Sequence, residues 1–275
     1  MERQSDKVDG IDGLSSRDKD RVTKEQFEAL KKKYYAGGGA GGPPYPAHIL
    51  PMAITCLAVA LWDLLSGVQE GTVKPLASFA TVFVTYFAID VFSGIFHIVL
   101  DNPAFADNKA YYNVIQPLAA GFQEHHLDVT LIYRMPLLEH LRPMSLPSMF
   151  CFATGKLFTQ LSPNDDPGRL FTIFHLSVTA FLILMQLAHR WSHIINPEAR
   201  PWGVTTLQRW GLLVSASEHR KHHQVPYEAH FCILSGSCNP LMNQLVKVLP
   251  PLSTHWLEVF VLAFFVPYFI LQNFV

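Results

Sequence analysis

Two stretches of this chain are long and apolar enough to cross a lipid bilayer, and histidines stand at the end of each. Residues 76–100 (LASFATVFVTYFAIDVFSGIFHIVL) and 169–188 (RLFTIFHLSVTAFLILMQLA) meet or exceed the roughly 20 residues that span a hydrocarbon core. His97 lies near the end of the first, and His189 and His193 follow the second. Backbone N–H and C=O groups find no water inside a bilayer and must be satisfied within each span. The expected fold class is therefore all-α, a polytopic membrane protein.

Three further apolar stretches complete the outline. Residues 48–66 carry Pro51 and Asp63 near their ends. Residues 145–161 are short and carry Lys156, so they either cross or lie as an interfacial or re-entrant helix. Residues 254–275 either span or pack against the others. The chain thus divides into a polar arm (1–47), a membrane domain (48–245) and an apolar C-terminal helix (246–275). The arm ends in a Gly- and Pro-rich run at 37–44, the composition of a flexible linker. One short helix is expected within it, with Thr23 and Gln26 as a capping box and Gly37 as its stop. The basic run Lys31–Lys33 either touches anionic lipid or is simply solvated.

About four transmembrane helices, paired as two hairpins, place a histidine-rich cap on one membrane face. Lys31–Lys33, Arg134, Arg142, Arg190, Arg200, Arg209, Arg220 and Lys221 fall on that face, whereas the opposite connections, 67–75 and 162–168, hold only Lys74. Positive charge concentrates on cytoplasmic loops, so the histidine face is expected to be cytoplasmic or stromal.

Composition removes several alternatives. Charged residues are 16%, against about 25% in ordinary soluble domains. A net charge of −1 gives no reason to expect a nucleic-acid partner. The four cysteines, Cys56, Cys151, Cys232 and Cys238, include no C-x-x-C pair, which argues against a zinc ribbon or disulfide scaffold. No cleavable signal peptide is expected, because apolar sequence starts only near His48.

Eight of the thirteen histidines form four groups: His97; His125 and His126; His189 and His193; His219, His222 and His223. Asp90, His97 and Asp101 fall on one stripe of a helix. A carboxylate within a span is costly, so Asp90 either serves the site, as a ligand or behind one, or holds a neighbouring helix. Adjacent His125 and His126 point to different helical faces. They serve two metals, or one metal each with Glu124 and Asp128 behind the rings, or they are merely exposed. His189 and His193 share a face at i, i+4 spacing, as His219 does with His222 and His223; Pro226-Tyr227 is expected to end that last helix. Singly each group has an ordinary reading as surface histidine; the four together at one membrane face point to a metal centre. Imidazole suits zinc, copper, iron and nickel, and eight rings with the carboxylates Asp90, Asp101, Glu124 and Asp128 are enough for two ions. Oxidising an unactivated C–H bond calls for an oxygen-activating metal.

The ordered motifs Asp90-x-x-Ser93-Gly94-x-x-His97-x-x-x-Asp101, Glu124-His125-His126-x-Asp128, His189-x-x-x-His193 and His219-x-x-His222-His223, followed by Phe231-Cys232-Ile233 and Ser235-Gly236, resemble the Kua family. That family takes in the plasmanylethanolamine desaturases with bacterial CarF, and the plastid desaturases that place a trans Δ3 double bond in the palmitate of phosphatidylglycerol. The resemblance, over about residues 76–242, implies a membrane lipid desaturase with a di-iron centre, using O2 and electrons from cytochrome b5 or ferredoxin. It carries His97, His125, His126, His189, His193, His219, His222 and His223 over as the metal ligands. It also implies a phospholipid substrate, in which the double bond forms near the head group.

Substrate indications conflict. Glu218 stands where the ether-lipid branch has a further histidine, and Leu141-Arg142-Pro143-Met144 where it has an Asn-Gly-rich turn, so Ser217-Glu218-His219 is more like the plastid branch. The acidic residues of 1–33 are unlike a transit peptide. They favour the endoplasmic reticulum over the chloroplast and hence conversion of plasmanylethanolamine to its vinyl ether. A related di-iron hydroxylase is a second reading. A metal transporter or sensor ranks last, because a transporter places ionisable ligands at the middle of several spans. The aromatics of 79–96 either line a chain tunnel or face lipid and pack.

Overall fold

The computed structural model describes residues 49–69, 75–102, 105, 115–141, 144–161, 165–224 and 227–263, which are helical with no strand among them. The elements are α1 (Ile49–Gln69), α2 (Pro75–Asp101), α3 (Ile115–Leu127), α4 (Leu131–Arg134), α5 (Leu137–Leu141), α6 (Ser145–Leu161), α7 (Asp165–Ser192), a 3-10 turn at Pro197–Ala199, α8 (Val204–Arg209), α9 (Ala216–His222) and α10 (Asn239–Val248). A last helix, α11, covers 256–263. The polar arm, its short helix and residues 264–275 lie outside the described residues. Within them, Pro75–Asp101 and Leu170–Ser192 are the two helices long and apolar enough to cross a membrane.

Helix α2 opens on Pro75, whose missing N–H costs nothing in a first turn, and runs alongside α7; α7 also packs on α6 and α1. The two halves of α2 differ. Leu76, Phe79, Phe83 and Val84 are exposed, whereas Ile89–Asp101 is buried but for Val91. The buried half is wrapped by α3, α10, α11 and the segment 231–235, with Phe105, Phe231, Met242 and Trp256 among the enclosed side chains.

Asp90 shows how the wrap is fixed. It is fully buried; its Oδ1 accepts the backbone N–H of Ser235 (2.8 Å) and Gly236 (3.2 Å), and its Oδ2 that of Cys238 (2.9 Å). One turn on, the Ser93 hydroxyl donates to the Asp90 carbonyl (2.7 Å) and accepts from Ile233 N–H (3.0 Å). Gly94 lets the segment lie close: a Cβ there would meet Cys232 Sγ at 3.0 Å and Met242 Cγ at 3.1 Å. At the far end of α7, the Arg190 guanidinium donates to the carbonyls of Ile132, Tyr133 and Met135. It thereby ties down the short helices that follow α3.

Candidate metal centre

Each histidine group reaches the site on a helix end with a local reason to stop or start there. Ser215 caps α9, its hydroxyl accepting the N–H of Glu218 at 3.0 Å, the first half of a capping box. Helix α9 ends at His222, with His223 as its C-cap, earlier than Pro226-Tyr227 would dictate. The His223 N–H still closes on the His219 carbonyl, which keeps the i, i+4 pair on one side. His125 and His126 occupy the last turn of α3, and His189 that of α7, with His193 just beyond.

The eight rings converge, together with one carboxylate, into two adjoining groups. His125, His189, His193, His219 and His223 form the first; His97, Asp101, His126 and His222 form the second. Within each, one donor atom per residue lies within 4.8 Å of all the others. The helical turn separates neighbours in sequence: His125 falls in the first group and His126 in the second, though their rings are 4.4 Å apart.

In the first group the Nε2 atoms of His189 and His193 lie 3.2 Å apart, those of His193 and His219 3.1 Å, and those of His219 and His223 3.1 Å. Metal–imidazole bonds of about 2.1 Å put adjacent ligand nitrogens about 3.0–3.4 Å apart, from octahedral to tetrahedral angles. His125 Nε2 is buried without a hydrogen-bond partner, while its Nδ1 faces the Phe122 carbonyl. That contact assigns the proton to Nδ1 and leaves an Nε2 lone pair. The residues present therefore fit a bound cation.

In the second group the Asp101 carboxylate sits between three rings, with His97 Nε2 at 3.4 Å, His126 Nε2 at 3.3 Å and His222 Nε2 at 3.0 Å. His222 Nδ1 is 2.9 Å from the Ala229 carbonyl. The Gln123 amide donates to the Asp101 carbonyl, binding the end of α3 to the end of α2.

Burial holds these imidazoles in the metal-binding form. Desolvation first, then neighbouring rings, pushes His125, His126, His219 and His223 well below 6.5. His193 is lowered to about 3 by burial, partly opposed by its bond to the Val129 backbone. Neutral rings offer lone pairs at neutral pH.

The remaining carboxylates lie elsewhere. Asp90 belongs to neither group, and its three backbone partners match the alternative in which it holds the bundle together. Asp128 accepts from Thr130 N–H (3.0 Å) and hydroxyl (2.6 Å) and pairs with Arg134, which organises the start of α4. Glu124 is buried beside His125 in sequence but in neither group.

Three contributors carry no spacing signal. Tyr227 stacks on His126, with centroids 4.8 Å apart and planes 17° from parallel, from a backbone at φ 61°. Phe122 packs edge-on against His97 and His125. His230, scattered in sequence, places Nδ1 2.7 Å from Glu218 Oε1, which also accepts from Asn239 at 3.0 Å; Lys221 binds Oε2 at 2.7 Å. Burial pushes the Glu218 carboxyl up, but the hydrogen bonds from Lys221, His230 and Asn239 outweigh it and hold the group below its ordinary value.

Residues 86–255 match the lipid desaturase domain family. The chain is 30% identical over 162 residues to fatty acid desaturase 4, chloroplastic, of Arabidopsis thaliana (58% of this chain, 46% of the relative). It is 31% identical over 120 residues to plasmanylethanolamine desaturase 1 of Mus musculus (43% and 44%). It is 29% identical over 161 residues to the plasmanylethanolamine desaturase of Myxococcus xanthus (58% and 54%). The chain spans about half the length of these curated relatives. No solved structure matches it.

Proposed function

Because the chain belongs to the lipid desaturase family, we propose that it is a membrane lipid desaturase that holds two irons and introduces a double bond near the head-group end of a lipid chain. The observation that supports this reading best is the convergence of eight histidines and Asp101 from four parts of the chain into two adjoining groups. The first group would hold one ion through His125, His189, His193, His219 and His223. The second would hold the other through His97, His126, His222 and Asp101. The wider arrangement proposed has about four spans within residues 48–245, with the histidine cap on the cytoplasmic or stromal face.

Removing two hydrogens from a saturated C–C unit is balanced by O2, two electrons and two protons, leaving two waters. Bound iron supplies the reduction of O2 and the oxidant for an unactivated C–H bond. The protein's own groups do the rest. The Phe122 and Ala229 carbonyls fix the tautomers of His125 and His222. Phe122, Phe231 and Tyr227 pack against the rings, which limits water around them. The electrons come from a donor such as cytochrome b5 or ferredoxin.

The favoured substrate is plasmanylethanolamine, giving the vinyl ether in the endoplasmic reticulum, in keeping with the mouse and Myxococcus relatives. Trans-Δ3 acyl desaturation of phosphatidylglycerol in a chloroplast membrane is the second reading, in keeping with the Arabidopsis relative. Expression in cells lacking ether-lipid desaturation separates them. Acid-labile aldehydes support the first; a trans hexadecenoate in phosphatidylglycerol transfers the assignment to the second. Absence of both, from protein loaded with iron, overturns the desaturase reading.

A further inference from the structure

The segment after α7 turns back along the helices and presents tryptophan outward. Arg200 starts the turn by donating to the Ile194 carbonyl at 2.9 Å and 2.7 Å. Val204 and Leu207 of α8, with Leu213 and Val214, then pack against Leu184, Ala188 and Trp191 of α7. The segment ends its descent at Leu212, whose carbonyl accepts the Tyr86 hydroxyl at 2.7 Å. Tyr86 stands three helical turns before His97 on α2, about 16 Å at 1.5 Å per residue. Its ring meets that of Phe181, itself about two turns before His189 on α7. Residues 200–212 therefore form an apron that runs from Ile194, just past the histidines of α7, to the level of Tyr86 on α2.

Two glycine turns give the apron its outward face. Gly203 (φ 81°) and Gly211 (φ 71°) bracket α8, and a tryptophan immediately precedes each. Trp202 is fully exposed, Trp210 is 71% exposed and Leu212 46%. Tyr86, which bonds Leu212, meets the exposed ring of Phe87, and Phe87 that of exposed Phe83, so the apolar surface continues from Tyr86 along the helix. Arg209 is exposed at the same edge, and no acidic residue occurs between Arg200 and Leu212. Indole belongs at the boundary between head groups and chains, and arginine beside it suits lipid phosphate.

We propose that the apron 200–212 is seated in the lipid leaflet on the histidine side, with Trp202 and Trp210 at the head-group level and Arg209 facing phosphate. The proposal rests on reading α2 as a membrane span.

The test is tryptophan emission from the full chain in nanodiscs of phosphatidylcholine and phosphatidylglycerol. The emission lost on Trp210→Phe, and separately on Trp202→Phe, is obtained by subtraction from the parent protein. Seated tryptophans lose that emission to lipids brominated on the upper part of their chains and are shielded from aqueous iodide. Emission that iodide quenches and brominated lipid leaves intact would overturn the proposal. Neither result depends on bound iron or on product, so failure here is separable from failure of the desaturase assignment.

Discussion

His222 and Asp101 face each other through two acceptors: Nε2 lies 3.0 Å from Oδ2 while Nδ1 is within hydrogen-bond distance of the Ala229 carbonyl. A carbonyl cannot donate, so the ring's single neutral N–H belongs on Nδ1. Two lone pairs then meet inside the protein, which calls for a proton or a metal ion between them. Asp101→Asn replaces one acceptor charge by a neutral amide. We expect metal content to fall from about two ions per chain to about one, the ligand donors of the second group being the ones weakened. Elemental analysis of the purified protein reads this directly; two ions retained by the variant would remove Asp101 and its three rings from the proposal.

His219 Nε2 sits within 3.1 Å of both His193 and His223, so it occupies the middle of the first group. His219→Ala is expected to take the other ion and all product formation with it. His140→Ala serves as the comparison, since His140 bonds the Gln186 carbonyl at 2.9 Å and belongs to neither group. Equal metal loss in both variants would mean that unfolding, rather than ligand removal, is being measured.

Asp90 is expected to matter for stability. Asp90→Ala strands the N–H groups of Ser235, Gly236 and Cys238, and bonds to a charged acceptor are worth about 1.5–3 kcal/mol each. A loss of about 3 kcal/mol or more, seen as a lower melting temperature in detergent, is predicted, with Asp90→Asn falling between the two. A melting temperature unchanged by alanine would leave the anchoring of 235–238 without its main support.

Acid should weaken the metal-free protein in a particular window. His193 is held at about 3 in the fold by burial, against 6.5 in the open chain. Between those values the unfolded chain takes up a proton that the folded one refuses. The histidine's contribution is thus whole above pH 6.5 and is lost as the pH falls toward 3. Each unit costs about 1.4 kcal/mol per such residue, and His125, His126, His219 and His223 shift in the same direction. Melting temperature should drop steadily from pH 7 to pH 5 without metal. With metal bound the drop should begin at lower pH, because the ion competes with protons for the rings. A flat profile without metal would contradict this.

The long apolar helices and the histidine groups were legible because each depends on neighbours along the chain: an apolar run, or rings at i, i+3 or i+4. Asp101 was legible for the same reason, one turn beyond His97. The partition of rings between two groups was only half legible. The helical turn separates His125 from His126, but nothing local says that His126 joins His97 while His125 joins His189. Asp90 and Asp128 show where local reading stops. A carboxylate near a histidine reads the same whether it meets a metal or a row of backbone N–H groups, and the donors of Asp90 come from a segment far along the chain. Tyr227 and His230 carry no periodic signal, and their roles follow from left-handed backbone and distant partners.

The missing side chain at Gly94 sets how closely the 231–233 segment lies against α2. Cys232 Sγ and Met242 Cγ lie 3.0 Å and 3.1 Å from where a methyl group would be, and Phe231, next along the chain, touches both His97 and His222. Alanine at this position would shift the 231–233 segment outward by a few tenths of an ångström and carry Phe231 with it. How Phe231 packs against two rings of the second group is thereby governed, one turn away, by a single missing carbon.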